Sequence, residues 1–268
     1  MSPTIHHRYF VELAFHGGNF HGWQIQQNAV SVQQVVDKTL STITRQNVQT
    51  TGCGRTDAGV HALQLFAHFD LTEPINNTTG FLHQLNSLLP MSIAARSIVP
   101  VDTTAHARFD ATSRRYEYHI HQGKNPFLQG LSWQIRDLPD VKQMNEAAEL
   151  LLEYRDFSCF SKSNTQVFTN NCTIFEAYWE QSSKLGNSER LIFHIEADRF
   201  LRNMVRAIVG TLLDIGHGKF KPEHMRTVIE SKNRSRAGAS VPADGLYLSQ
   251  VKYPESIVPK LNQLNTTL

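Results

Sequence analysis

The feature that most constrains this chain is a change of hydrophobic period that occurs twice in the same order. Residues 8–15, RYFVELAF, alternate as a half-buried strand does. Ser31 with Gln34 three residues on forms a capping-box signal, and Val32, Val35, Val36, Leu40 and Ile43 follow at helical spacing. Strands are expected around 48–54 and over 62–70, then a helix over 79–89 ending before Pro90, then a strand over 92–99. The order is βαββαβ.

From residue 115 the order recurs. The strand RYEYHIH precedes a helix from Val141 that sets Met144, Ala147, Ala148, Leu151 and Leu152 on one face. Strands at 172–180 and 190–197 are joined by a hairpin connection, 181–189. A long apolar helix over 201–215 carries Leu201, Met204, Val205, Ile208, Val209, Leu212 and Leu213, and is stopped by Gly216 and Gly218. A short helix opening at Pro222 and the strand GLYLSQVKY complete the pattern, and the tail after Pro254 is read as peripheral. Two βαββαβ-like halves predict an α/β (α+β) fold of two subdomains, 1–105 and 106–268, joined near 104–112. Their sheets are expected to be mainly antiparallel and to flank a central cleft where chemistry would sit.

At 268 residues and 40% hydrophobic composition the chain can bury a sizeable core. MSPTIHHRYF lacks the apolar centre of a secretory signal, and no window approaches the roughly 18 apolar residues of a membrane span. A soluble, cytoplasmic protein with no membrane partner is expected. Cys53, Cys159 and Cys172 form no CxxC pair and are odd in number, so reduced thiols are expected. Thirteen histidines invite a metal test, but Cys53, His61 and His68 match no zinc spacing and no metal site is expected. A net charge of +2 is too small to announce a nucleic-acid partner by itself. The clusters Arg114–Arg115, Arg199/Arg202/Arg206 and Lys232/Arg234/Arg236 must carry that argument.

Chemistry concentrates in TGCGRTDAGVHA, residues 51–62. Gly54 and Gly59 bracket an Arg-Thr-Asp-Ala run, and on an extended segment Arg55 and Asp57 emerge on one face. Burial raises a carboxyl pKa, and a nearby arginine lowers it by roughly one to three units, which keeps a carboxylate nucleophile charged in a closed site. On the 201–215 helix, Arg202 and Arg206 at i,i+4 would give an otherwise apolar surface one cationic face, suited to phosphate or carboxylate.

GRTDAGVHA resembles the signature of the tRNA pseudouridine synthase A family. The resemblance extends in order to FHGGNFHGWQIQ with SVQ (15–33), HARFDATSRRYEY (106–118), FLRNMVRAIVGTLLDIGHGKFKPE (200–223) and GLYLSQVKYP (245–254). After GVHA the family often has Leu-Gly-Gln, where this chain has Leu63, Gln64 and Leu65. The resemblance implies isomerisation of uridines at positions 38–40 of the tRNA anticodon stem-loop by a homodimer that spreads one tRNA across both subunits, with no metal or redox cofactor. It implies that Asp57 is the nucleophile, that Arg55 helps displace the target base, that Tyr116 packs on the flipped uracil, and that Arg206 approaches Asp57 from the second half. Extruding a nucleotide costs a few kcal/mol, and stacking on an aromatic ring returns about 1–3 kcal/mol. Arg114, Arg115, Arg202, Lys232, Arg234 and Arg236 are then expected phosphate contacts, with shape rather than sequence guiding the RNA.

Overall fold

A computed structural model describes residues 7–161 and 169–257. Of the tail read as peripheral, everything after residue 257 lies outside the described residues. Two compact units emerge: the chain up to Thr112 together with the chain from Leu248 onward, and Ser113–Tyr247.

The first unit runs β1 (His7–Phe15), α1 (Val32–Thr44), β2 (Thr51–Gly52), β3 (His61–Leu71), α2 (Thr78–Leu88) and β4 (Ile93–Val101), the βαββαβ order expected. It is completed by β9 (Leu246–Lys252), and the strand order is β4-β1-β3-β9 with β2 also on β3. Strand β1 pairs antiparallel with both neighbours, Val11 facing Ala67 on one side and Ile98 on the other. Helix α1 forms as its cap dictates: Ser31 Oγ accepts from the Gln34 N–H at 3.2 Å, and Val32, Val36 and Leu40 are buried.

Two expectations for this unit change. The strand expected at 48–54 is only Thr51–Gly52, because α1 takes the preceding backbone donors. Ser41 Oγ accepts from Val48 N–H, and Asp37 Oδ1 accepts from Thr50 N–H and hydroxyl at 2.9 and 2.6 Å. Strand β1 is buried on both faces rather than one. Tyr9 stacks on Phe69, and on the other face Phe10 and Phe66 meet Tyr253, whose hydroxyl donates to Ala107 O at 2.6 Å.

The second unit contains β5 (Ser113–Gln122), β6 (Trp133–Ile135), α3 (Val141–Glu149), β7 (Ile174–Leu185), β8 (Ser188–Ala197), α4 (Met204–Gly216) and α5 (His224–Glu230). Strands β5, β8 and β7 are antiparallel neighbours, and β6 adds to β5 in parallel, so the pairing is mainly antiparallel as expected. Helix α3 gives way to a 3-10 turn over Leu150–Glu153, which breaks the helical period. Leu151 stays buried, but Leu152 is 42% exposed, against its expected place on the apolar face.

Helix α4 starts later than the apolar pattern suggested. Asn203 holds a left-handed backbone, φ 66°, so Leu201 and Arg202 precede the helix, and no i,i+4 face of Arg202 and Arg206 exists. Its end is as expected: Gly218 N–H donates to Ile215 O at 2.8 Å and Lys219 N–H to Asp214 O at 3.0 Å, a Schellman closure.

Candidate active site

After β2 the chain keeps one more ladder bond, Cys53 N–H to Phe66 O at 2.7 Å, and then leaves the sheet with Gly54. It returns at His61 through a turn over residues 57–60, in which Val60 N–H donates to Asp57 O at 3.2 Å. Gly59 at the third position has φ +81°, as a type II turn demands and a side chain resists. Asp57 therefore opens a tight turn between two paired strands. It is half-buried, whereas Arg55 is exposed and Thr56 is buried. The Thr56 hydroxyl is buried with no hydrogen-bond partner among the described residues.

The segment FHGGNFHGW packs against this turn. Gly59 N–H donates to Phe20 O at 3.2 Å, and Gly17 N–H to His61 Nδ1 at 3.0 Å. His61 is 1% exposed, with its ring 4.5 Å from that of His16. Gly22 lies so close that a Cβ would stand 2.2 Å from Thr56 O, at a backbone φ of +79°. The other side of the segment is fixed by α1: Val32 N–H donates to Gly22 O, Gln33 N–H to Trp23 O, and Gln33 Nε2 to Thr50 O. Thus three stretches separated by up to forty residues, FHGGNFHGW, SVQ and GRTDAGVHA, form one backbone-to-backbone scaffold whose product is the position of Asp57. Gln64 is also structural: it donates to Glu12 Oε1 at 3.0 Å and accepts from Val251 N–H at 2.9 Å, tying β1 and β9 to β3.

In the second unit Tyr116 lies on β5, half-buried and opposite Ile195, with the Phe200 ring edge-on at 5.1 Å and 88°. Arg206 sits in the first turn of α4. Its Nε donates to Val241 O at 2.7 Å, while Val241 N–H donates to Arg206 O, a reciprocal tie that fixes the stem of the side chain.

The six expected phosphate contacts differ in what already holds them. Arg114 Nη1 donates to Asp198 O at 2.9 Å, and Arg115 bonds the Tyr178 hydroxyl and pairs with Glu176 at 3.3 Å. Arg234 staples its own loop through Gly238 O and Ser240 Oγ. Lys232 pairs with Asp156 at 2.9 Å, and hydrogen bonds from Ser158 and then Lys232 hold that carboxyl down at about 2. Arg202 and Arg236 are exposed.

Residues to which the sequence reading gave no site role are the scaffold members Gly22 and Trp23, and Phe200 beside Tyr116, while His61, considered there only as a metal ligand, is a scaffold member too. The glycines of FHGGNFHGW were the available signal for Gly22 and Trp23. All three cysteines are buried and none is in a disulfide, and burial pushes Cys159 and Cys172 up to about 12, so those two are poor nucleophiles. Among the described residues no group of three or more His, Cys, Asp or Glu is placed to hold a metal ion.

A family model described as tRNA pseudouridine synthase matches residues 147–254. The tRNA pseudouridine synthase A of Parabacteroides distasonis is 49% identical over 252 residues, covering 94% of this chain and 98% of that protein. That of Porphyromonas gingivalis is 50% identical, covering 93% and 98%. The chain belongs to the tRNA pseudouridine synthase A family. It is an isomerase, and the mixed α/β architecture with mainly antiparallel strands suits that family. No helix among the described residues is long and apolar enough to cross a membrane.

Proposed function

We propose that this tRNA pseudouridine synthase A family member converts uridine to pseudouridine at positions 38–40 of the tRNA anticodon stem-loop, with Asp57 as nucleophile and the target base flipped out. The observation that carries the reading is the construction of the Asp57 turn. A half-buried carboxylate sits in a turn whose backbone is clamped by Phe20, Gly22 and Gly59, far more support than a connecting loop needs. A rigid nucleophile loses no freedom at the moment of attack.

The chemistry balances without an added reactant. The carboxylate attacks either the ribose anomeric carbon or uracil carbon six, and the bond between the base nitrogen and the sugar breaks. The base turns, its carbon five bonds to the anomeric carbon, the carbon-five proton leaves to solvent while the ring nitrogen freed from the sugar takes one up, and the carboxylate is released. Arg55, exposed beside the turn, has the reach and charge to fill the space that the base vacates. Tyr116 is assigned to the face of the displaced uracil, and Arg206 to the charge of the nucleophile, both on the resemblance. Arg202 and Arg236, both exposed, are assigned as phosphate contacts in the same reading. A cytoplasmic homodimer is part of the same reading.

The test is incubation with tRNA lacking pseudouridine followed by chemical mapping of the modified positions. Product at 38–40 is expected from the native chain, and Asp57→Asn is expected to lower kcat by at least about a thousandfold while tRNA binding changes by less than about threefold. Undiminished pseudouridine in Asp57→Asn would remove the nucleophile from the proposal and leave an RNA-binding role for the turn.

A further inference from the structure

Phe109 is 75% exposed, yet the loop that carries it is tightly built. His106 is its foundation: Asp110 Oδ2 accepts from His106 N–H at 2.7 Å, and Asp110 N–H returns a bond to His106 O. His106 Nδ1 accepts from the N–H groups of Arg108 and Phe109 at 3.1 and 3.3 Å. Three rings then form a column from interior to surface. Buried His68 meets His106 at 4.6 Å, and His106 meets Phe109 at 4.2 Å with 32° between planes. The Arg108 guanidinium stands 5.7 Å from the Phe109 ring centre.

A large aromatic left in water by a flexible loop could fold inward and gain burial; this one is held outward by four hydrogen bonds and a ring beneath it. The arrangement offers a rigid π-face with a cation at its edge, which suits a base carrying a phosphate on the same nucleotide. We propose that Phe109 and Arg108 form a stacking platform for one unpaired nucleobase of the tRNA substrate, separate from the base undergoing isomerisation. The inference rests on the reading of tRNA as substrate given above. Charge decides the occupant: a purely apolar protein partner would leave Arg108 desolvated, whereas a nucleotide engages both side chains.

The experiment uses the full chain. Phe109→Leu is expected to raise KM for unmodified tRNA roughly five- to a hundredfold with kcat within about twofold, and Phe109→Tyr to restore KM. Phe109→Trp adds an indole whose emission, after subtraction of the native chain's three tryptophans, is expected to be quenched on adding tRNA. Unchanged KM in Phe109→Leu, or an unquenched indole while tRNA binds, overturns the platform. A change in sedimenting mass in Phe109→Leu with KM intact also overturns it and identifies the ring as a contact between copies. The two readings fail separately. Quenching by tRNA without pseudouridine at 38–40 keeps the platform and removes the assigned position, whereas normal product with a KM blind to Phe109 does the reverse.

Discussion

His68 shows how much of this fold depends on one ring staying neutral. Its Nδ1 accepts from Ala107 N–H at 3.1 Å, which a protonated ring cannot do. Burial, then the charges of Arg8 and His106, push it down to about 4, and burial lowers its neighbour His106 as well. An unfolded histidine titrates near 6.5, so between about 6.5 and 4 the unfolded chain binds a proton that the native chain refuses. The stability that neutral His68 confers is therefore fully present above 6.5 and lost as pH falls through 4. Urea midpoints are expected to be flat above pH 7 and to decline below 6.5, with about 3 kcal/mol at most from His68. His68→Asn, which keeps an acceptor in place but does not titrate, should flatten part of that decline; an unaltered slope would assign it elsewhere. None of this was visible in the sequence, where His68 is one polar residue in ALQLFAHFD. The tight turn that carries Asp57, by contrast, was legible as a candidate site, because carboxylate, arginine and glycines stand together in one short stretch.

At the scale of elements, the clamp on the Asp57 turn yields a sharp expectation. Gly22→Ala sets a Cβ 2.2 Å from Thr56 O in a left-handed backbone, so the turn must move. A loss of about 2–4 kcal/mol in stability is expected, with at least about a hundredfold in kcat/KM from displacement of Asp57. Equilibrium unfolding and steady-state turnover of the same preparation check both, and native turnover in a destabilised variant would show that the clamp serves only the fold. Helix positions were readable to within a few residues wherever a cap announced them, as Ser31 did for α1 and Gly218 for α4. The start of α4 was not, because Asn203 interrupts an unbroken apolar period. That residue gains its side-chain bond to Ser240 from a segment thirty-seven positions later, which no local pattern records. The same limit applied to residues 48–50, whose extended-looking sequence is claimed by Asp37 and Ser41.

For the molecule as a whole, the alternation of strands and helices was enough to read fold class and the βαββαβ order of the first unit, but not β6, which the second unit inserts between β5 and α3. It could not say which sheet receives the last strand. Strand β9 follows the second unit in sequence, yet from Leu248 it groups with the first, where Gln64 accepts from Val251 N–H and Tyr253 covers Phe10 and Phe66. Pairing partners at such separation leave no periodic trace. A fragment of residues 1–112 therefore lacks one strand and an aromatic cover, and is expected to show no cooperative urea transition. A synthetic peptide of residues 246–257 added in trans should restore one, and a fragment that unfolds cooperatively alone would refute this.

The returning strand also sets a timetable. A ribosome releases the amino-terminal residues first, at about 5–20 per second, so the nascent first unit waits on the order of ten seconds for Val251 and Tyr253 to emerge. During that interval the side of β3 that β9 will occupy is unpaired, and this is when chaperone capture in the cell has most to offer the growing polypeptide.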